Sequence, residues 1–414
     1  MNVFAFVIFF ALLTEFAVQL LASYLSLRSL LRTPAPALGK LLDEDRFRQL
    51  QRYVGARTRF SIASDVFSLS VLLLFWFNGG FRWLNNWIGS WGLGPLWTGL
   101  LLLGAIALGR AFLALPFTAY FTFGIESKFG FNKTTPQTFF ADLVKGALLA
   151  VVIGGPLAAA ILTLLSQPGR YFWLYAWIFA TVLLVLLQIV APRIIMPLFN
   201  KFEPLKEQQL REAISSYAAS VDFPLTAISV MDASRRSSKS NAFFTGFGSN
   251  HRLVLNDTLL GRHTTPEMVA IVAHEVGHFK KKHIPLRMLL GILQLGVFFL
   301  LMSFFLNSNG LAQAFYVDHP PVALRIVFFA LLYSPVAFAW SIFLNWLARR
   351  QEYEADRFSA ETTRQPEAMA EALRKLTADN LSQLSPHSID VILNYSHPPL
   401  EDRIRALSPS LREA

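Results

Sequence analysis

Long, unbroken apolar runs dominate the chain, and the turns between them are short and polar in some places and rich in arginine in others. A hydrocarbon core takes about 20 helical residues to cross. Seven runs meet that length: Asn2 to Ala22, Ser61 to Trp83, Trp97 to Phe121, Leu143 to Leu165, Tyr171 to Ile194, Leu286 to Leu306 and Ala323 to Leu347. A helix that is apolar all round leaves no face for water, so each run is predicted to span a bilayer. The first has no basic stretch before it and no small-residue cleavage site, which predicts a span and not a removed signal.

Two stretches differ in character. Segment 195–285 is polar and mixed, opening with Pro197 and Pro204 before a helical pattern from Leu205 to Ala219. Thr226 to Met231 and Arg252 to Leu255 are short runs of strand type, joined by a Ser- and Asn-rich stretch, and predict a small hairpin or sheet edge. Segment 348–414 is polar and helical in pattern. The predicted fold is mainly α: a polytopic membrane protein of seven helices carrying one polar domain with a small β-sheet. Its expected division is a membrane region 1–194 with five spans and a domain 195–414 interrupted by spans 286–306 and 323–347.

Composition supports this. Of 414 residues 54% are hydrophobic and only 15% charged, against about 25% charged in soluble chains. The formal net charge of +10 does not point to nucleic acid, because the basic residues gather beside apolar runs. Arg28, Arg32, Lys40, Arg46, Arg48, Arg52, Arg57 and Arg59 follow span one, whereas the turns after spans two, four and six carry little beyond Arg82 and Arg170. The positive-inside rule therefore predicts an external N-terminus, with segment 195–285 and the C-terminal tail in the cytoplasm. Cysteine is absent, which excludes disulfides, thiolate metal sites and a thiol nucleophile. Glu15, Asp65 and Arg110 lie inside apolar runs, where an ionisable group faces either a polar cavity or a partner on another helix. On these three residues alone a transporter stays open, although no internal repeat supports it.

The chemistry concentrates in His274-Glu275-Val276-Gly277-His278. Thr264 and Glu267 suit a capping box, Pro266 suits a first turn, and Met268 to Ala273 supply an apolar body, so the motif is predicted on a helix ending near Ile284, before Pro285. Histidines at i and i+4 stack on one face and can reach one zinc ion. Glu275 beside them suits a general base that takes a proton from water and returns it to the leaving amine. A surface helix with two solvated histidines is the bland alternative; such a motif arises by chance in roughly one chain in a hundred of this length.

A catalytic zinc needs three protein ligands and one open position. Arg349-Arg350-Gln351-Glu352-Tyr353-Glu354-Ala355-Asp356 follows span seven on the same membrane face as His278. Glu352 and Glu354 both qualify as the third ligand on chemistry alone. Asp356, at i+4 from Glu352, suits a carboxylate that orients a ligating histidine. His278 precedes span six by eight residues and Glu352 follows span seven by five, so the site is predicted within roughly 12 Å of the membrane edge. His397, ahead of Pro398-Pro399 and near Arg403, suits an oxyanion stabiliser; a structural turn is the competing reading. His251, His263, His283, His319 and His387 have no metal-type partner at useful spacing and are assigned no role.

With these residues in place, the chain resembles the integral-membrane CAAX prenyl endopeptidases, type I zinc enzymes that remove the last three residues of prenylated CAAX proteins. The resemblance also covers Ile125 to Asn132, Pro197 to Phe202, Ser240-Asn241-Ala242-Phe243-Phe244 and Ser396-His397-Pro398-Pro399-Leu400. It implies His274, His278 and Glu352 as ligands of one zinc ion, Glu275 as general base, Asp356 behind the ligands, and Asn241 on the substrate backbone. His397 and Arg403 would polarise the scissile carbonyl, and a chamber among the spans would end at the zinc. The tail Leu411-Arg412-Glu413-Ala414 lacks a retrieval signal and looks like that of a bacterial homologue, which implies an inner-membrane location. The expected function is a seven-span, zinc-dependent endopeptidase of zincin type with a cytoplasmic site, acting on peptide or protein substrates, prenylated ones included. The alternatives are a membrane-protein quality-control metalloprotease with no prenyl requirement and a transporter or channel with a structural metal site.

Overall fold

The computed structural model describes residues 2–31, 44–167, 169–247 and 250–407. Arg32, Lys40 and the tail Leu411 to Ala414 lie outside the described residues. Seven helices among those described are long and apolar enough to cross a membrane. They are α1 (Val3–Ser29), α2 (Glu44–Phe77), then after a short α3 (Gly80–Gly89), α4 (Pro95–Glu126), α5 (Pro136–Leu165) and α6 (Phe172–Phe199). The polar domain follows as β1 (Phe202–Pro204), α7 (Gln208–Ser220), β2 (Leu225–Met231), β3 (Ala242–Phe247), β4 (Asn250–Asn256) and α8 (Thr265–Lys280). Spans α9 (His283–Phe305) and α11 (Val322–Thr363) flank α10 (Asn309–Ala314), and α12 (Pro366–Asp379), α13 (Ser388–Asn394) and α14 (Leu400–Leu407) complete the chain.

Several boundaries differ from the sequence expectation. Span two ends at Phe77, not Trp83, because Gly79 takes a left-handed conformation (φ 72°) and starts α3 in a new direction. Arg46 to Arg59, read as loop, form the first turns of α2. The motif helix stops at Lys280, not Ile284, since Lys282 is left-handed (φ 58°) and Pro285 fits the first turn of the next helix. Span seven does not end at Leu347: with no glycine or proline between Leu347 and Thr363, α11 continues to Thr363, 42 residues in all, and carries Glu352 out of the apolar zone on the same helix.

The sheet has the order β1-β2-β4-β3. Thr226 to Met231 and Arg252 to Leu255 pair in parallel, not as a hairpin. The antiparallel pair is formed by β3 and β4, leaving β3 as an edge strand with one side unpaired.

Apolar packing gathers at the two ends of the molecule. At one end Phe315 stacks on Phe328 at 4.1 Å and 3°, and Trp76 donates its Nε1–H to the Ala314 carbonyl at 2.7 Å. At the other, the inner face of the sheet packs on α7 and α8 through Leu253, Leu255, Ile214 and Val272. Between the ends lies a cavity of about 1290 Å³ lined by α1, α2, α4, α11 and the C-terminal helices. Glu15, Asp65 and Arg110 all line it, so the three charges that interrupt the apolar runs share one cavity.

Candidate metal centre

The site is built where α8 crosses α11. Gly277 makes that crossing close: a Cβ on it would come within 3.1 Å of the Ala355 Cα and 3.2 Å of Phe358. Ser359 adds a strap, its hydroxyl donating to the Ala270 carbonyl at 2.8 Å. The start of α8 is held by Glu267, whose carboxylate accepts from the Thr264 N–H at 3.1 Å and from Lys375 at 2.8 Å. This packing sets the two histidines of α8 opposite the acidic turn of α11.

His274, His278 and Glu352 converge, each offering one ligand atom, with all of these within 4.8 Å of one another. The two Nε2 atoms stand 3.1 Å apart, and the Glu352 oxygens lie 3.4 Å from each of them. Ligands about 2.1 Å from a tetrahedral zinc stand roughly 3.4 Å from one another, so the triangle has the size such an ion requires. Glu352 Oε2 is buried without a hydrogen-bond partner, which a cation would satisfy. Glu354 is not in this group: its side chain is 47% exposed and pairs with His283. Of the two glutamates, side-chain direction on α11 brings Glu352 to the histidines and turns Glu354 away.

Asp356 accepts from His274 Nδ1 at 2.8 Å and takes both Nε and Nη2 of Arg403, at 2.7 and 2.6 Å. Burial disfavours charge on His274, but its hydrogen bond to Asp356 and the neighbouring Glu352 carboxylate outweigh that and raise the imidazole to about 9; a cation at Nε2 replaces the proton there. Burial pushes the Glu275 carboxyl above its ordinary range, closer to the working range of a general base. His397 lines the cavity, its side chain 64% exposed there and its Nε2 3.3 Å from Glu352 Oε1. Arg403 also touches Glu352, at 3.5 Å, and with His397 it lines the end of the cavity.

Asn241 makes backbone contacts at the edge of the sheet. It is the residue before edge strand β3, its Oδ1 accepting from the Ala242 N–H at 2.9 Å and its carbonyl from the Asn256 N–H at 3.0 Å. His283, to which the sequence reading assigned nothing, is buried against His278, the two Nδ1 atoms 2.9 Å apart. No spacing rule reveals this contact, because it depends on the helix break at Lys282.

Comparison with known proteins gives two family matches along the chain. Residues 23–201 match the family model of the CAAX prenyl protease N-terminal region with five membrane helices, and residues 204–410 match peptidase family M48. The chain is 34% identical to the CAAX prenyl protease 1 homolog of Arabidopsis thaliana over 93% of both chains. The chain belongs to peptidase family M48. It is 31% identical to CAAX prenyl protease 1 of Saccharomyces cerevisiae, covering 95% of this chain and 93% of that one. The crystal structure of Ste24p from S. mikatae superposes with a TM-score of 0.93 at 30% identity, over 99% of this chain and 100% of the other. The M48 peptidases are zinc-dependent, and the protein is an integral, multi-pass membrane metallopeptidase. The transporter alternative falls away, since the chain belongs to a peptidase family.

Proposed function

We propose that this M48 peptidase hydrolyses the peptide bond three residues from the C-terminus of CAAX-type substrates, prenylated ones included, using His274, His278 and Glu352 as zinc ligands. The observation that carries the reading is the juxtaposition of the ligand triangle with a chamber reaching between the spans. The chamber offers a modified chain room beside the bilayer. The curated relatives named CAAX prenyl protease 1 support the substrate class.

Zinc, when bound, supplies Lewis acidity to the scissile carbonyl and to water. Glu275 takes the proton of the attacking water and delivers it to the leaving amine nitrogen. His397 donates a hydrogen bond from Nε2 to the carbonyl oxygen as negative charge builds there, and Arg403 adds fixed positive charge behind it. Asp356 holds His274 and Arg403 together. The free side of β3 accepts the substrate as an added strand, with Asn241 contacting its backbone at the near end. The chain works as two parts, a membrane region 1–194 and a peptidase domain 195–414 split by spans six and seven. The site faces the cytoplasm; the basic residues at the start of α2 support the sidedness.

One CAAX peptide, farnesylated and unmodified, incubated with purified wild type and with Glu275→Gln, tests the reading by mass spectrometry. Release of the terminal tripeptide by wild type alone, faster from the farnesylated peptide, is expected. Equal cleavage of both peptides would shift the assignment to a broader membrane endopeptidase. Because the chain has no cysteine, single cysteines at Arg262 and Ser308 report sidedness: an impermeant thiol reagent should label only the second from outside the cell.

A further inference from the structure

The two ligand histidines are backed by different groups, and only one of those groups has been given a role so far. His274 Nδ1 meets Asp356. His278 Nδ1 meets His283 Nδ1 at 2.9 Å, and His283 Nε2 meets Glu354 Oε2 at 3.1 Å. His283 is 3% exposed and begins α9 directly after the left-handed Lys282, so the break between α8 and α9 turns its ring back onto the last turn of α8.

We propose that His283 and Glu354 position the metal ligand His278, forming a Glu354–His283–His278 hydrogen-bonded chain that fixes the ring of His278 with Nε2 aimed at zinc. The assignment of protons follows from the contacts. Nε2 of His278 faces His274 and Glu352 and is the atom available to a metal. A metal there leaves the single ring proton on Nδ1, which donates to His283 Nδ1. His283 then carries its own proton on Nε2 and donates it to the Glu354 carboxylate. Every atom in the chain has one role and none conflicts, with the anion at the far end raising the basicity of the ligand. Glu354, excluded as a ligand by its direction, thus serves the site from behind, and α9 is coupled to the zinc through its first residue.

The proposal rests on the zinc assignment but not on the substrate, so metal retention in the full-length protein separates the two. Zinc transfer to a competing chelator is measured for His283→Leu, His283→Asn, Glu354→Ala and Glu354→Gln, alongside the thermal stability of each metal-free protein. Removing such an outer partner lowers metal affinity about 10- to 100-fold, and that loss is expected for His283→Leu. Asparagine places Oδ1 where Nδ1 of histidine stands, so His283→Asn should recover most of the loss while matching His283→Leu in metal-free stability. Glu354 is half-exposed, and its alanine variant folds whatever happens at the buried histidine; it should release zinc faster than Glu354→Gln, which keeps an acceptor. Equal zinc retention by wild type and both alanine and leucine variants would overturn the proposal. So would a His283→Asn protein no better than His283→Leu, since packing and not the hydrogen bond would then be at work.

Discussion

The chamber joins two regions that handle charge in opposite ways. At the peptidase end, Asp356 is bound by Arg403 and His274, Glu352 by both ligand histidines and His397, and every distance is 3.5 Å or less. At the membrane end, Glu15 and Arg110 make no ion pair among the described residues, and Asp65 has only a long bond from Ser61 at 3.5 Å. A buried charge without a partner is expensive, whereas one bathed in water is not. The paired end is therefore a constellation held by mutual ion pairs, whereas the charges of the other end line the cavity without ion pairs among the described residues, and hydration of that cavity is what would make them tolerable.

Four measurements break or sharpen this contrast, beginning with the largest effect. Glu275→Gln should keep zinc but lower kcat by roughly 100- to 10,000-fold, as loss of a general base does; near-normal turnover of the pure variant would remove Glu275 from that role. Asp356→Ala leaves Arg403 buried without its main partner, a defect that costs about 3–5 kcal/mol, read as a fall in the thermal midpoint of the zinc-loaded protein. By direct metal analysis Glu352→Ala should lose far more zinc than Glu354→Ala, and the reverse order would move the third ligand. Smallest is Asp65→Asn: if water solvates the carboxylate, stability should move by no more than about 0.5 kcal/mol. A gain of several kcal/mol would mean a dry site and would erase the difference between the two ends.

Much of the molecule was legible because its signals are local. Seven apolar runs need no neighbour to declare themselves, since length and composition alone decide whether a helix suits lipid. His274, Glu275 and His278 share one helical turn, so their spacing already carries their geometry. The strands were harder: Ala242 to Phe247 was not read as a strand, and the parallel pairing of β2 with β4 depends on partners distant in sequence. Left-handed residues such as Lys282 also escaped, because a lysine carries no turn signal and its conformation is imposed by how α8 and α9 pack.

The sequence by itself determined the number of apolar spans, the helix bearing the motif and the candidate ligands, each legible within a single helical segment. Chemistry and spacing left Glu352 and Glu354 open, and only tertiary structure brings one of them, Glu352, to the histidines, since direction on a helix has meaning only once α8 lies against α11 at Gly277. Tertiary structure likewise decided that Glu15, Asp65 and Arg110 face one chamber and that His283 stands behind His278, because both facts are distances between residues on separate elements, set by packing.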